Sequence, residues 1–161
     1  MSLRYFLPRL SLPPIPSPLP LVAALLLLLS SGASQAAGSK DFGEYTVQWS
    51  VFPSTFLTPE VARENGLNRS RSIGVVNIAI MTENDDGGMS TVSGQVEGKA
   101  LNDIQQAKFL AFRRIQEGDS VYFIAEYQYS NAELMTFQIT ARPTGSRSDL
   151  PVRFSHTLFN D

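Results

Sequence analysis

The sequence predicts an all-β protein, an antiparallel immunoglobulin-like β-sandwich of about seven strands with one short helical insert. Apolar and polar residues alternate in several short runs, Gly, Pro, Asn or Asp separates the runs, and helical spacing is confined to one brief segment. Short strands between turn signals are typical of sandwiches and barrels rather than of parallel sheets. Because the chain has no cysteine, it lacks the disulfide of antibody domains, and the likeness is one of architecture.

Residues 121–141 carry the clearest strand signal. Alternate residues are apolar in residues 121–127 and again in residues 135–141, and the polar segment Ser130–Glu133 separates the two runs. Alternation of this kind around a turn is the usual signal of a β-hairpin. Since a lone hairpin is only marginally stable, we expect the remaining strands to supply a second layer.

Residues 1–36 have the pattern of a secretory signal peptide. Arg4 and Arg9 precede an apolar run over residues 19–29, and small residues follow near Ala36. The run is shorter than the roughly 20 apolar residues that a membrane span needs. An uncleaved membrane anchor is the alternative to a cleaved signal.

Removal of the signal leaves a single predicted domain, residues 37–161. The signal holds two of the 13 basic residues and none of the 15 acidic ones, so the mature chain of 125 residues has a formal charge of −4. This acidic balance argues against general nucleic-acid binding, which needs a basic face. A secreted domain without cysteine relies on its core alone, which fits a bacterial periplasm better than an animal exterior.

The first strand of the domain is predicted over Lys40–Phe52. Tyr45, Val47, Trp49 and Val51 share one face of it, and polar residues share the other. Such clean alternation predicts one buried and one solvated face. We therefore expect Trp49 in the core rather than on a ligand-binding surface.

A short helix is predicted from Thr58 to Gly66. Thr58 suits the N-cap, Pro59 suits the first helical position, and Gly66 can close the helix in a left-handed conformation. Val61 and Ala62 would dock the helix on the edge of the sandwich.

Four further strands are predicted outside the hairpin. The first is apolar almost throughout, with Asn77 as its one strongly polar residue, which suits a central strand covered on both faces. Polar turns precede or follow each run. The predicted ranges are 73–81, 89–97, 107–115 and 150–159.

Several of these segments resemble an uncharacterised proteobacterial family, catalogued as domain of unknown function 4426. The resemblance lies in the helical insert, in the strand that contains Asn77, and in a Glu-Gly turn before an aromatic strand. The matching residues are Thr55–Ala62, Gly66-Leu67, Arg69-Ser70, Glu117-Gly118 and Tyr122-Phe123. The resemblance covers nearly the whole mature chain and implies a secreted, periplasmic single β-sandwich domain. It implies no activity.

No residue set typical of catalysis stands out. His156 is the one histidine, Ser155 points to the opposite side of its strand, and no Gly-x-Ser-x-Gly motif occurs. Glu117, Asp119 and Glu126 could in principle serve a glycosidase, but carboxylates beside turns are common on surfaces. We expect a structural role for His156 and no enzymatic activity.

Metal and cofactor sites are not predicted either. One histidine without cysteine excludes zinc clusters of the ordinary type. The acidic turn at residues 84–87 resembles part of a calcium loop, but Thr82 and Ser93 occupy its two anchoring positions. A solvated turn is the expected structure there.

The candidate partner-binding residues are Arg63, Asn68, Arg69 and Arg71, in and just after the predicted helix. Arginine suits bidentate contact with a carboxylate or a phosphate, so these residues could form a binding rim. The alternative, which we favour, is that Arg69 pins the insert to the sandwich while the other arginines are solvated.

Two functions from different classes remain open. The first is a non-enzymatic protein-interaction module of the bacterial envelope, with an unidentified protein partner that contacts residues 55–72. The second is a small-ligand carrier or accessory protein with a pocket between the two sheets. The residues expected to line that pocket are Trp49, Phe109, Phe123 and Phe137.

Overall fold

The computed structural model describes residues 36–160, which form two antiparallel β-sheets and a short helical insert. The predicted signal peptide lies outside the described residues except for Ala36. The elements are β1 (Ala36–Asp41), β2 (Tyr45–Pro53), a 3-10 turn (Ser54–Phe56), α1 (Pro59–Glu64), β3 (Ile73–Glu83), β4 (Met89–Thr91), β5 (Gly94–Leu101), β6 (Ala107–Phe109), β7 (Arg113–Glu117), β8 (Ser120–Gln128), β9 (Glu133–Pro143) and β10 (Leu150–Leu158).

The first sheet has the strand order β1-β2-β3-β8-β7, and β4 pairs with the end of β3. The second sheet has the order β10-β9-β5-β6. The all-β antiparallel sandwich predicted from the sequence is therefore confirmed. The described residues contain ten strands rather than about seven, because three of the predicted strands are each divided in two.

The predicted hairpin over residues 121–141 is wrong. Strand β8 pairs with β3 and β7 in the first sheet, whereas β9 pairs with β5 and β10 in the second. Residues 129–132 are thus an arch between the sheets, and the two apolar faces meet across the core instead of lying side by side. Alternation shows which face of a strand is buried, but it does not specify the neighbour with which the strand pairs.

Two other predicted strands cross between the sheets. Residues 89–97 divide into β4 and β5, and residues 107–115 divide into β6 and β7, so each half lies in a different sheet. Strands that switch sheets in this way form the corners of a sandwich. The first predicted strand divides differently, because a turn with Gly43 at φ 88° lets β1 fold back onto β2.

The core lies between the inner faces of the two sheets. Phe137 of β9 is fully buried, and its ring lies 4.9 Å from that of Phe154 and 5.1 Å from that of Tyr127. Trp49 stacks on Phe154 with centroids 4.8 Å apart, which places it against the core as predicted. Burial raises the pKa of Tyr127 far above its ordinary value, so its hydroxyl stays neutral.

The insert covers part of the outer face of the first sheet rather than its edge. The Thr58 Oγ1 caps α1 by accepting a hydrogen bond from the backbone N–H of Val61 at 3.3 Å, and Gly66 has φ 60°. Both features agree with the predicted start and end of the helix. A second apolar cluster joins the insert to β2, β3 and β8, and its buried members are Phe52, Leu57, Ala62, Leu67, Val75 and Ile124.

Candidate functional site

Two of the four predicted partner-binding residues hold the insert in place. The backbone N–H of Asn68 donates to Glu126 Oε1 at 2.6 Å, and its Nδ2 lies 3.5 Å from Oε2. Arg69 Nη2 donates to the backbone carbonyl of Thr55 at 3.1 Å. Arg69 therefore joins the two ends of the insert to each other, whereas the structural bridge expected for it led from the insert to the sandwich.

Arg113 of β7 also fixes the insert to the first sheet. Its Nη1 donates to the carbonyl of Gly66 at 2.9 Å, and its Nη2 forms an ion pair with Glu126 Oε2 at 3.3 Å. Glu126 thus receives hydrogen bonds from both the insert and the sheet. The neighbouring Arg114 is not part of this group, because its Nε donates to Ser93 Oγ at 3.1 Å.

Arg63 and Arg71 are exposed, and within residues 36–160 neither forms a hydrogen bond or an ion pair. The four predicted residues therefore separate into two that stabilise the insert and two whose guanidinium groups face solvent. Only the second pair is available for a partner without loss of internal contacts.

We expect Arg69→Ala to lower the free energy of unfolding by about 0.5–1.5 kcal/mol, because it removes the hydrogen bond to Thr55. Arg71→Ala is the matched control and should change stability by less than about 0.5 kcal/mol. Urea denaturation of both variants checks this. Equal stabilities of the two variants would contradict the structural role of Arg69.

The pocket expected between the sheets is not assembled by its four predicted residues. Phe123 and Phe137 are buried and packed, and Trp49 stacks on Phe154. Phe109, however, is 87% exposed, because it lies on the three-residue edge strand β6 with its ring outside the sandwich. The prediction of a shared lining was wrong, since the pattern around Phe109 does not show that β6 is a short edge strand.

Phe109 belongs instead to a surface on the outer face of the second sheet. In the strand register it lies opposite Lys99, Lys99 lies opposite Gln138, and Gln138 lies opposite Arg153. These four side chains form a row across the whole sheet. We call this row the Phe109 surface. The sequence pattern does not reveal this row, because it joins four strands that are distant along the chain.

A shallow depression of about 770 Å³ lies over the Phe109 surface. Lys40 borders it from the first sheet, where its Nζ donates to the carbonyl of Pro151 at 3.0 Å. Glu97 is the one acidic residue in the lining. The surface is therefore locally basic, although the chain as a whole has a formal charge of −2.

The geometry does not assemble a metal centre within residues 36–160, where no group of three or more His, Cys, Asp or Glu side chains is placed to hold an ion. Residues 84–88 form the turn between β3 and β4, in which Gly87 N–H donates to the carbonyl of Asn84 at 2.9 Å.

His156 is partly buried opposite Met135 on the inner side of β10. Among residues 36–160, no helix has the length and apolar character of a membrane span.

A search of curated proteins finds no match to this sequence. Among solved structures, the periplasmically expressed FetP of uropathogenic Escherichia coli strain F11 shares the fold, with a TM-score of 0.57 and 10% identity over 80% of this chain and 98% of FetP. A copper-bound variant of FetP gives a TM-score of 0.54 and 12% identity over 78% of this chain and 91% of that chain. At these identities the likeness concerns the fold alone.

A closer likeness is found to a DUF4426 family protein from Pseudomonas aeruginosa PAO1. The two chains are 30% identical with a TM-score of 0.68, and the match covers 78% of this chain and 96% of the other. The family model described as domain of unknown function (DUF4426) matches residues 39–161. The resemblance inferred from the insert, the strand with Asn77 and the Glu-Gly turn is therefore confirmed, and the chain belongs to the DUF4426 family.

Proposed function

We propose that this chain is a non-enzymatic protein-interaction module of the bacterial envelope, exported to the periplasm, and that it binds its partner through the Phe109 surface. The observation that carries the proposal is the 87% exposure of Phe109 on a strand of the second sheet. The signal-peptide pattern of residues 1–36 supports export.

An exposed phenylalanine on a strand is suited to anchor a partner. Burial of such a side chain contributes about 1.5–3 kcal/mol. Because β6 is hydrogen-bonded to β5, the backbone of Phe109 is already ordered, and binding costs less conformational entropy than it would on a free loop. Ile104, in the loop before β6, is a second exposed apolar side chain, with 69% of its surface accessible.

The charges around Phe109 indicate the chemistry of the partner. Lys40, Lys99 and Arg153 border the depression, against one carboxylate from Glu97. Complementary charges speed association and select against wrong partners. The expected partner is therefore a protein that presents an acidic segment together with an apolar pocket or side chain.

The insert is the second candidate surface. Arg63 and Arg71 are exposed and form no hydrogen bond or ion pair within the described residues. The insert that carries these two arginines is held in place by Asn68, Glu126 and Arg113. An acidic protein could bind there through paired carboxylates. The insert lies on the outer face of the first sheet, whereas the Phe109 surface belongs to the second, so an experiment can distinguish them.

Photocrosslinking in cells provides the test. A photoreactive phenylalanine analogue is placed in the full chain at Phe109, at Arg71, or at Met89, which is 48% exposed and serves as the control position. We expect one dominant protein adduct from position 109 and none from position 89. A dominant adduct from position 71 alone would assign binding to the insert, and the absence of an adduct at both positions would contradict the interaction module.

A further inference from the structure

The outer face of the first sheet has a groove beside the area that the insert covers. Its volume is about 380 Å³, near the lower end of the range for small-molecule sites. None of the described residues that line it is charged. Its lining combines amide and hydroxyl side chains with a small apolar floor, and includes Gln48, Ser50, Asn77, Ala79, Met81 and Tyr122.

Asn77 is the unusual residue in this groove. It lies at the centre of β3, between Ser50 of β2 and Ile124 of β8 in the register. Its side chain is 8% exposed, and its Oδ1 is buried without a hydrogen-bond partner among the described residues. A buried acceptor without a donor destabilises a fold, so each such group calls for an explanation.

Apolar residues occupy the neighbouring positions of the strand, so an apolar residue would fit at position 77. Val75 and Ala79, the neighbours of Asn77 on the same face, are both buried. Replacement of an unsatisfied buried amide by an apolar group of similar size is neutral or stabilising. Asn77 therefore lowers the stability of the fold, which is the pattern expected where a ligand supplies the missing donor.

We infer that this groove binds a small neutral molecule with a carboxamide or peptide N–H, and that Asn77 accepts the hydrogen bond. A half-turn of the Asn77 amide about its terminal torsion exchanges oxygen and nitrogen within the same space, so the side chain can present either atom. A charged ligand would lose its hydration without finding a charged partner in the lining.

The aromatic residues of the groove argue against a sugar. Tyr122 is only 6% exposed, and the ring of Trp49 is stacked on Phe154 and also lies against Gly38 of β1. Neither ring therefore offers an open face on which a pyranose could stack. This site is independent of the Phe109 surface, which lies on the outer face of the other sheet, so the two proposals can fail separately.

To test this inference, the protein is titrated with N-acetylalanine amide as the probe, and its backbone amide signals are followed by NMR. We expect saturable shifts in the signals of residues 48–50 and 77–81. Asn77→Val should weaken binding at least tenfold while raising the midpoint of thermal unfolding by roughly 4 °C. Gln95→Val, at an exposed position of β5 in the other sheet and outside the Phe109 surface, is the control variant and should bind the probe as the wild type does.

Two further probes define the chemical class. N-acetylalanine, which carries a carboxylate, and glucose should both leave these signals unshifted. Saturable shifts with glucose alone would overturn the inference, as would the absence of shifts with the amide probe or undiminished binding by Asn77→Val. A more stable Asn77→Val variant whose wild-type parent binds none of the probes would also overturn it, because Asn77 would then have no ligand-binding role.

Discussion

Phe137→Ala is expected to lower the free energy of unfolding by about 3–5 kcal/mol. Phe137 is fully buried, and its ring contacts Tyr127 of the opposite sheet and Phe154 of the neighbouring strand. Its removal leaves a cavity at the centre of the sandwich, and close-packed neighbours fill such a cavity only in part. Urea denaturation followed by fluorescence of Trp49 measures the loss.

Leu134→Ala is the matched control, on the same strand β9 and 48% exposed. We expect it to cost less than about 1 kcal/mol, since most surface substitutions have small effects. Equal losses in the two variants would contradict the assignment of the core to the inner faces of the sheets.

Gly74→Ala is expected to destabilise the protein by about 1–3 kcal/mol, even though alanine is ordinarily no worse than glycine in a strand. A Cβ added at Gly74 would lie 2.5 Å from Cζ of Tyr127, its register partner on β8. Tyr127 is 5% exposed and packs against Tyr129 and Phe137, so its ring has little room to move. Thermal unfolding of the variant measures the effect.

A double-mutant cycle with Tyr127→Leu tests the cause of that loss. If the collision with the ring is responsible, Gly74→Ala should cost much less in the Tyr127→Leu background than in the wild type. An unchanged cost in both backgrounds would show that the backbone of β3, rather than Tyr127, excludes a side chain at position 74.

The faces of the strands were predictable because burial imposes a period of two on the sequence. Val47 and Val51 are fully buried on the face that their alternation indicates, and Thr58 and Gly66 mark the ends of the helical segment as their chemistry predicts. These features depend on local sequence. Pairing depends on residues far apart in the chain, so the arch after β8 has the same local pattern as a hairpin.

The candidate sites were less predictable for the same reason. The sequence shows Asn77 as the polar residue of an apolar strand, but whether its Oδ1 finds a hydrogen-bond donor depends on the neighbouring strands β2 and β8. Phe109 was expected in the core. Its exposure results from the shortness of β6 and from its outward register with Lys99, and neither feature is visible in the local sequence. The separate roles of Arg69 and Arg71 likewise follow from tertiary contacts.

Partner capture by Phe109→Ala shows whether the Phe109 surface binds the partner. Because Phe109 is 87% exposed, this variant should keep the thermal stability of the wild type. We predict that its affinity for the crosslinked partner falls at least 30-fold. This loss corresponds to a contribution of about 2 kcal/mol by the Phe109 side chain to the free energy of binding. Undiminished affinity of Phe109→Ala, together with loss of binding in an Arg63→Glu/Arg71→Glu variant of equal stability, would contradict the claim and assign the partner to the insert.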